Sequence, residues 1–196
     1  IAWLDAVLPQ TDNVIFTSQN GVVAAQRLDL PQTATAWCVG DRTAKAATDA
    51  GFDAISAGGD AAALLSLIQS RKPKGDLLHL GGVHSRGNIA GELTQRGYSC
   101  AFLAGYEQIA LPASGDLINA MAGNDPLVSP VFSPRSAAPL AVVDRAAQLH
   151  GVAISGAVAD ILTGLQFDTV TTSVRPDEPA MLDAVCNVVL RLLDRG

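Results

Sequence analysis

Small hydroxyl residues, glycines and arginines recur together in this 196-residue chain, each time just after a short apolar run. In the first half they are Thr17-Ser18-Gln19-Asn20-Gly21, Gly40-Asp41-Arg42-Thr43 and Gly81-Gly82-Val83-His84-Ser85-Arg86-Gly87. In the second half they are Ser133-Pro134-Arg135-Ser136, Ser155-Gly156-Ala157 and Ser173-Val174-Arg175-Pro176. Where such residues open a helix, they offer an anion backbone N–H groups and the positive end of the helix dipole. Arg42, Arg86, Arg135 and Arg175 add guanidinium forks that suit carboxylate or phosphate. One such loop is an ordinary helix cap; six of them point to an anion-binding cleft and a ligand with several negative groups.

Other chemistries lack their signatures. There is no GxGxxG, GxxxxGK[ST], GxSxG or HExxH, so dinucleotide, P-loop, serine-hydrolase and zinc-protease readings have no support. His79, His84 and His150 are scattered and none stands at ligand spacing from Cys or carboxylate, so no metal site is expected. His84 sits in a candidate loop, either as a solvated side chain or as a general base. Tyr106 is the remaining proton donor of interest, read either as a phenol facing the ligand or as a ring that packs a linker. Cys38, Cys100 and Cys186 are isolated and odd in number, which fits reduced, buried thiols in a cytoplasmic protein.

Composition narrows the partners. With 48% hydrophobic and 16% charged residues the chain folds rather than staying disordered. A formal charge of -6, from 13 basic and 19 acidic residues, provides no field to collect a nucleic-acid backbone. The most apolar stretch, 146–167, is interrupted by Gln148, His150, Gly151, Ser155, Gly156 and Asp160, so no segment is expected to cross a membrane.

The elements that must position the loops alternate. Strand patterns fall at Asn13 to Thr17, Thr35 to Val39, Ala54 to Ala57, Asp76 to Leu80 and Ser99 to Ala104; helical ones at Ile1 to Leu8, Asn20 to Leu28, Thr43 to Ala50, Ala61 to Ser70 and Gly87 to Arg96. The second half gives strands at Leu127 to Phe132, Val152 to Ser155 and Thr169 to Ser173, and helices at Ser136 to Leu149, Ala157 to Leu165 and Pro179 to Leu193. Alternation at this spacing predicts βαβ units and parallel sheets flanked by helices. The halves also overlay, with Phe16-Thr17-Ser18 on Phe132-Ser133-Pro134, Val39-Gly40 on Ile154-Ser155, Phe52-Asp53 on Phe167-Asp168, and Asp60 to Leu65 on Asp177 to Leu182. The expected α/β architecture is therefore two similar flavodoxin-like lobes, 1–104 and 113–196, joined by an extended two-stranded linker at 105–112.

Order and spacing together carry a family resemblance. Val14-Ile15-Phe16-Thr17-Ser18-Gln19-Asn20-Gly21-Val22, Val39-Gly40-Asp41-Arg42-Thr43-Ala44-Lys45-Ala46, Leu77-Leu78-His79-Leu80-Gly81-Gly82 with Arg86-Gly87, and Phe132-Ser133-Pro134-Arg135-Ser136-Ala137 resemble the uroporphyrinogen-III synthases. One departure is Val158, in a turn where that family usually has threonine. Against the family pattern the second lobe is expected to lack its N-terminal strand-helix-strand. The resemblance implies cyclisation of the linear tetrapyrrole hydroxymethylbilane to uroporphyrinogen III, with loss of water and inversion of the last pyrrole, without a cofactor. It implies Tyr106 as the catalytic proton donor. It places the substrate's carboxylates on Thr17, Ser18, Asn20, Gly40, Thr43, Gly82, Arg86, Ser133, Arg135, Ser136 and Ser155. The expected state is a cytoplasmic monomer that touches the preceding pathway enzyme only transiently. The rival readings are a non-catalytic two-lobed binding module and a silent synthase-like regulatory domain for a polyanionic small molecule.

Overall fold

A computed structural model describes residues 1–85, 87–137, 140 and 145–194. It divides into two compact units, 1–109 and 110–196. The first contains β1 (Ala2–Trp3), β2 (Asn13–Phe16), α1 (Gln19–Arg27), β3 (Thr35–Cys38), α2 (Asp41–Asp49), β4 (Asp53–Ser56), α3 (Ala61–Arg71), β5 (Leu77–Gly82), α4 (Ile89–Gln95) and β6 (Cys100–Glu107). Its six strands lie in the order β1-β6-β5-β2-β3-β4. All pairings are parallel except β1 with β6. The sheet is thus mixed, with one antiparallel strand at its edge.

β2 and β5 are buried along their whole length, as strands with both faces covered must be. Alternation then sorts their side chains. Val14, Phe16, Leu78 and Leu80 pack with Val22, Ala24 and Ala25 of α1 and Ala44 and Ala47 of α2. Ile15, Trp37 and Leu77 face Leu64 and Ile68 of α3 and Ile89 and Leu93 of α4. Buried Asn13 is satisfied: its Oδ1 accepts from Trp37 Nε1 at 3.0 Å and its Nδ2 donates to the Lys74 carbonyl at 2.8 Å.

The predicted helix at Ile1 to Leu8 does not form. Ala2 and Trp3 instead pair with Glu107 and Tyr106, and the Leu4 N–H donates to the Gly105 carbonyl at 3.1 Å. An unpaired sheet edge, with an indole that packs edge-on to Tyr106, outcompetes a short helix that would leave its own ends unsatisfied.

The second unit contains α5 (Gly115–Ala122), β7 (Leu127–Val131), α6 (Pro134–Ala137), β8 (Leu149–Ala153), α7 (Gly156–Gly164), β9 (Thr169–Thr172) and α8 (Glu178–Leu193). The three strands are parallel in the order β7-β8-β9. Met121, Val131, Ala153, Val158 and Leu162 fill one side of this sheet, and Val152 meets Met181 and Val188 of α8 on the other. Helix α5, started by a bond from the Leu117 N–H to Ser114 Oγ at 3.2 Å, was not predicted. The helix predicted to end at Leu149 is corrected, because Leu149 opens β8 opposite Leu127. Residues 138, 139 and 141–144 of that prediction lie outside those described. Gly151 is a packing site: a Cβ there would lie 2.8 Å from Leu162 Cδ1 and 3.0 Å from Phe167 Cδ1.

The internal repeat has physical content. Asp60 and Asp177 cap α3 and α8 identically, each accepting from the N–H three residues on. Phe52 and Phe167 are buried after residues with positive φ, Gly51 at 95° and Gln166 at 58°. The overlay of Phe16-Thr17-Ser18 on Phe132-Ser133-Pro134 is off by one. Phe16 and Val131 are the last strand residues, and Ser18 and Ser133 directly precede helices, so Thr17 corresponds to Phe132.

Candidate functional site

In open parallel sheets, ligands are met by the turns that leave the strands' carboxyl ends. Those turns lead here into α1, α2, α3, α4, α6, α7 and α8. How each helix start is finished separates them. Asp60, Asn88 and Asp177 close α3, α4 and α8 with their own side chains. Ser18, Gly40 and Ser155 precede α1, α2 and α7 with extended backbones, φ -157°, -158° and -156°, and none gives a side-chain cap. These three starts are where a carboxylate finds helix N–H groups without a competing internal acceptor from the cap. The first turns of α1 and α7 carry no acidic residue, whereas α2 begins with Asp41, which accepts from Ser56 Oγ at 2.6 Å.

Three predicted residues meet in the first unit. The Ser18 hydroxyl is not a cap because it lies 2.9 Å from the Tyr106 phenol oxygen. Tyr106 is 6% exposed, set edge-on to Trp3 with ring centroids 6.2 Å apart. Gly82 makes this possible: a Cβ on it would lie 2.7 Å from Tyr106 Cε2 and 3.0 Å from Cζ. An irregularity in the β5/β6 pairing, where Gly81 faces Ala104 and Gly82 faces Tyr106, sets the ring at this point. Sequence reasoning named Tyr106, Ser18 and Gly82 singly but missed Trp3 because it read the segment as helix. The Arg27 guanidinium lies over the Trp3 ring at 5.3 Å.

Thr17 and Asn20 are half-buried on either side of the start of α1, and Gln19 Nε2 donates to the Arg42 carbonyl at 3.4 Å, joining the first turns of α1 and α2. Thr43 is buried, its N–H donating to the Gly40 carbonyl at 3.0 Å. Val158 holds the equivalent place in α7 and packs into the second core, so its branched side chain serves the interior there.

In the second unit, Ser133 and Ser136 are turned toward each other. Their hydroxyl oxygens are 3.0 Å apart, the Ser133 N–H donates to Ser136 Oγ at 3.0 Å, and the Ser136 N–H donates to Ser133 Oγ at 3.2 Å. This reciprocal box locks the turn. Arg135 is exposed on α6. Arg175 is paired with Asp177 at 2.8 Å, which raises its pKa. The Asp177 carboxyl is held below its usual range by the Ala180 N–H and then by Arg175. Arg86 lies outside the described residues.

Of the cysteines expected to be buried, Cys38 is buried, Cys100 half-buried and Cys186 exposed. Burial raises the Cys38 thiol to about 12 and Cys100 to about 11. Among the described residues no three His, Cys, Asp or Glu side chains are grouped to hold a metal, and no helix is long and apolar enough to cross a membrane.

The model of the family described as uroporphyrinogen-III synthase HemD matches residues 1–183. Among solved structures, the chain is similar to uroporphyrinogen-III synthetase from Helicobacter pylori, with 17% identity, a TM-score of 0.75, and 95% of this chain and 89% of that one covered. A mutant uroporphyrinogen III synthase from the extremely thermophilic bacterium Thermus thermophilus is matched at 18% identity and a TM-score of 0.45, over 92% of this chain and 79% of that one. No curated protein matches. At these identities the structural likeness is one of fold, and the Helicobacter pylori match agrees with the mixed and the parallel sheet described above. With the family model spanning nearly the whole sequence, the chain belongs to the uroporphyrinogen-III synthase family.

Proposed function

We propose that this protein is a cyclising hydro-lyase that converts hydroxymethylbilane to uroporphyrinogen III. The pairing of Tyr106 with Ser18 at the start of α1 is the observation that supports this reading beyond family membership. In the reaction the electron-rich pyrrole next to the hydroxymethyl group expels its hydroxyl, and a proton from the Tyr106 phenol lets it leave as water. Ser18, at hydrogen-bond distance, orients that phenol and shares its proton. The substrate's own electrons drive the loss, so the remaining task is to hold the chain while its last pyrrole closes through a spiro intermediate. Positioning of that kind needs fixed dipoles rather than a dyad or triad. The uncapped starts of α1, α2 and α7 supply them, with Thr17, Asn20, Thr43 and Ser155 at their edges.

The test supplies freshly generated hydroxymethylbilane, oxidises the products and separates type I from type III uroporphyrin by chromatography. Type III above the spontaneous type I background is expected; type I alone overturns the reading and leaves a binding module or silent paralogue. Tyr106→Phe, which keeps the ring against Trp3 and removes the proton, is expected to lower turnover about a hundredfold. Unchanged turnover removes the acid role.

A further inference from the structure

The turn after β2 and the turn after β7 occupy the same place in their units, yet one carries Thr17 and the other Phe132. The residue before each is sealed in its core, Phe16 at 0% and Val131 at 1% exposure, while Phe132 stands 52% exposed. Val131 closes the interior beneath it, and Phe132 is not one of the residues packed into that core. Its backbone is nonetheless fixed, because the Ser133–Ser136 box locks the next residue in place. Val174, in the turn after β9, is 86% exposed. The register sets Val131 level with Ala153 and Thr172, so Phe132 is level with Ser173 and Val174 lies one residue further out.

Resting on the synthase reading, we propose that Phe132 is a substrate-contacting specificity residue that stacks on one pyrrole ring of the tetrapyrrole. Hydroxyls and helix N–H groups grip carboxylates but treat any polyanion alike; an aromatic face distinguishes a chain of pyrroles from an aliphatic polycarboxylate.

Uroporphyrin III is the probe, followed by the shift of its Soret band on titration into wild type, Phe132→Ala and Phe132→Tyr, each first shown to unfold at the wild-type urea midpoint. Phe132→Ala is expected to bind about tenfold more weakly and Phe132→Tyr within twofold of wild type, a stack of ordinary strength. With hydroxymethylbilane, KM rises in Phe132→Ala while kcat holds. Equal affinity of Phe132→Ala and wild type, or equal losses in Phe132→Ala and Phe132→Tyr, overturns the proposal. A wild type that makes only type I product but binds uroporphyrin through Phe132 overturns the synthase reading alone. A wild type that makes type III with a fully active Phe132→Ala overturns the stacking alone.

Discussion

Ser18 and Ser155 start helices in different units with nearly the same backbone, φ -157° and ψ 161° against φ -156° and ψ 164°. What surrounds them differs. At Ser18 a phenol arrives from β6 through a gap left by Gly82, and Thr17 stands before the cap. At Ser155 the third residue of the helix is Val158, sealed in the core, and the turn after the neighbouring strand β7 presents Phe132. One scaffold was used twice, and the proton-bearing pair was built only in the first unit. The second unit's elaborations are apolar contact and braces such as Arg145, whose Nη1 holds Asp168 at 2.8 Å and whose Nη2 donates to the Gln166 carbonyl.

The contrast extends to the buried histidines. His150 has a partner, with Nδ1 2.8 Å from the Thr169 hydroxyl, while neither ring nitrogen of His79 is bonded. His79 is 1% exposed on β5, edge-on to Phe102, and burial lowers its pKa to about 4. It is neutral in the folded protein and takes up a proton on unfolding below about 6.5. Its contribution is therefore complete above pH 6.5 and declines as pH falls toward 4, by about 3 kcal/mol over that window. Urea midpoints measured between pH 7 and 4 are expected to follow this slope in wild type and to flatten in His79→Leu. A variant as acid-sensitive as wild type would show that other groups set the slope.

Two glycines sharpen the division between chemistry and packing. In Gly82→Ala the new methyl meets a ring held between Trp3 and Ser18, so Tyr106 must move and the 2.9 Å contact breaks. In Gly151→Ala it meets the side-chain ends of Leu162 and Phe167. Overpacking is expected to cost each about 2 kcal/mol. Turnover, however, falls in Gly82→Ala toward the level of Tyr106→Phe and holds in Gly151→Ala at a temperature where both are folded. Equal effects on kcat would erase the distinction between the units.

Much of this was legible in the residues because burial on both faces writes strands as continuous apolar runs. Asn13–Phe16 and Thr35–Cys38 end within a residue of their predicted limits. Reading failed where a tertiary partner decided. Ile1 to Leu8 has a helical period, but the edge of β6 captures its first residues. Leu149 continues an apolar pattern that fits either period, and only its register with Leu127 makes it a strand. At the site, residue types marked the turns but not their state. Nothing in Ser133-Pro134-Arg135-Ser136 distinguishes hydroxyls locked on each other from hydroxyls open to a ligand, and nothing in Ser173-Val174-Arg175-Pro176 announces that Arg175 is held by Asp177.

The pair Thr43 and Val158 asks whether the second unit could regain a polar side chain. Val158→Thr places a hydroxyl in a core of Leu162, Val131 and Ala153, and is expected to lower stability by about 1.5 kcal/mol unless it bonds back along α7. A urea midpoint at or above the wild-type value would mean that the hydroxyl is satisfied at this position, through the α7 backbone or by turning out of the core.

The smallest effect concerns the turn before Phe52 and Phe167. Both helices end with a residue in the left-handed region, after which the Phe N–H reaches back to the carbonyl of Ala47 at 3.0 Å or Leu162 at 3.3 Å. The first unit uses Gly51, φ 95°, at no steric cost, and the second uses Gln166, φ 58°, whose Cβ crowds its own backbone. Gln166→Gly keeps the carbonyl that Arg145 binds, because that contact is to the main chain. Relief of strain is partly offset by the greater freedom glycine has when unfolded, leaving an expected gain below about 1 kcal/mol. A rise in the urea midpoint with unchanged kcat is the expected result. A fall would mean that the Gln166 side chain contributes more than its backbone costs, and that the two turns, alike in shape, are stabilised differently.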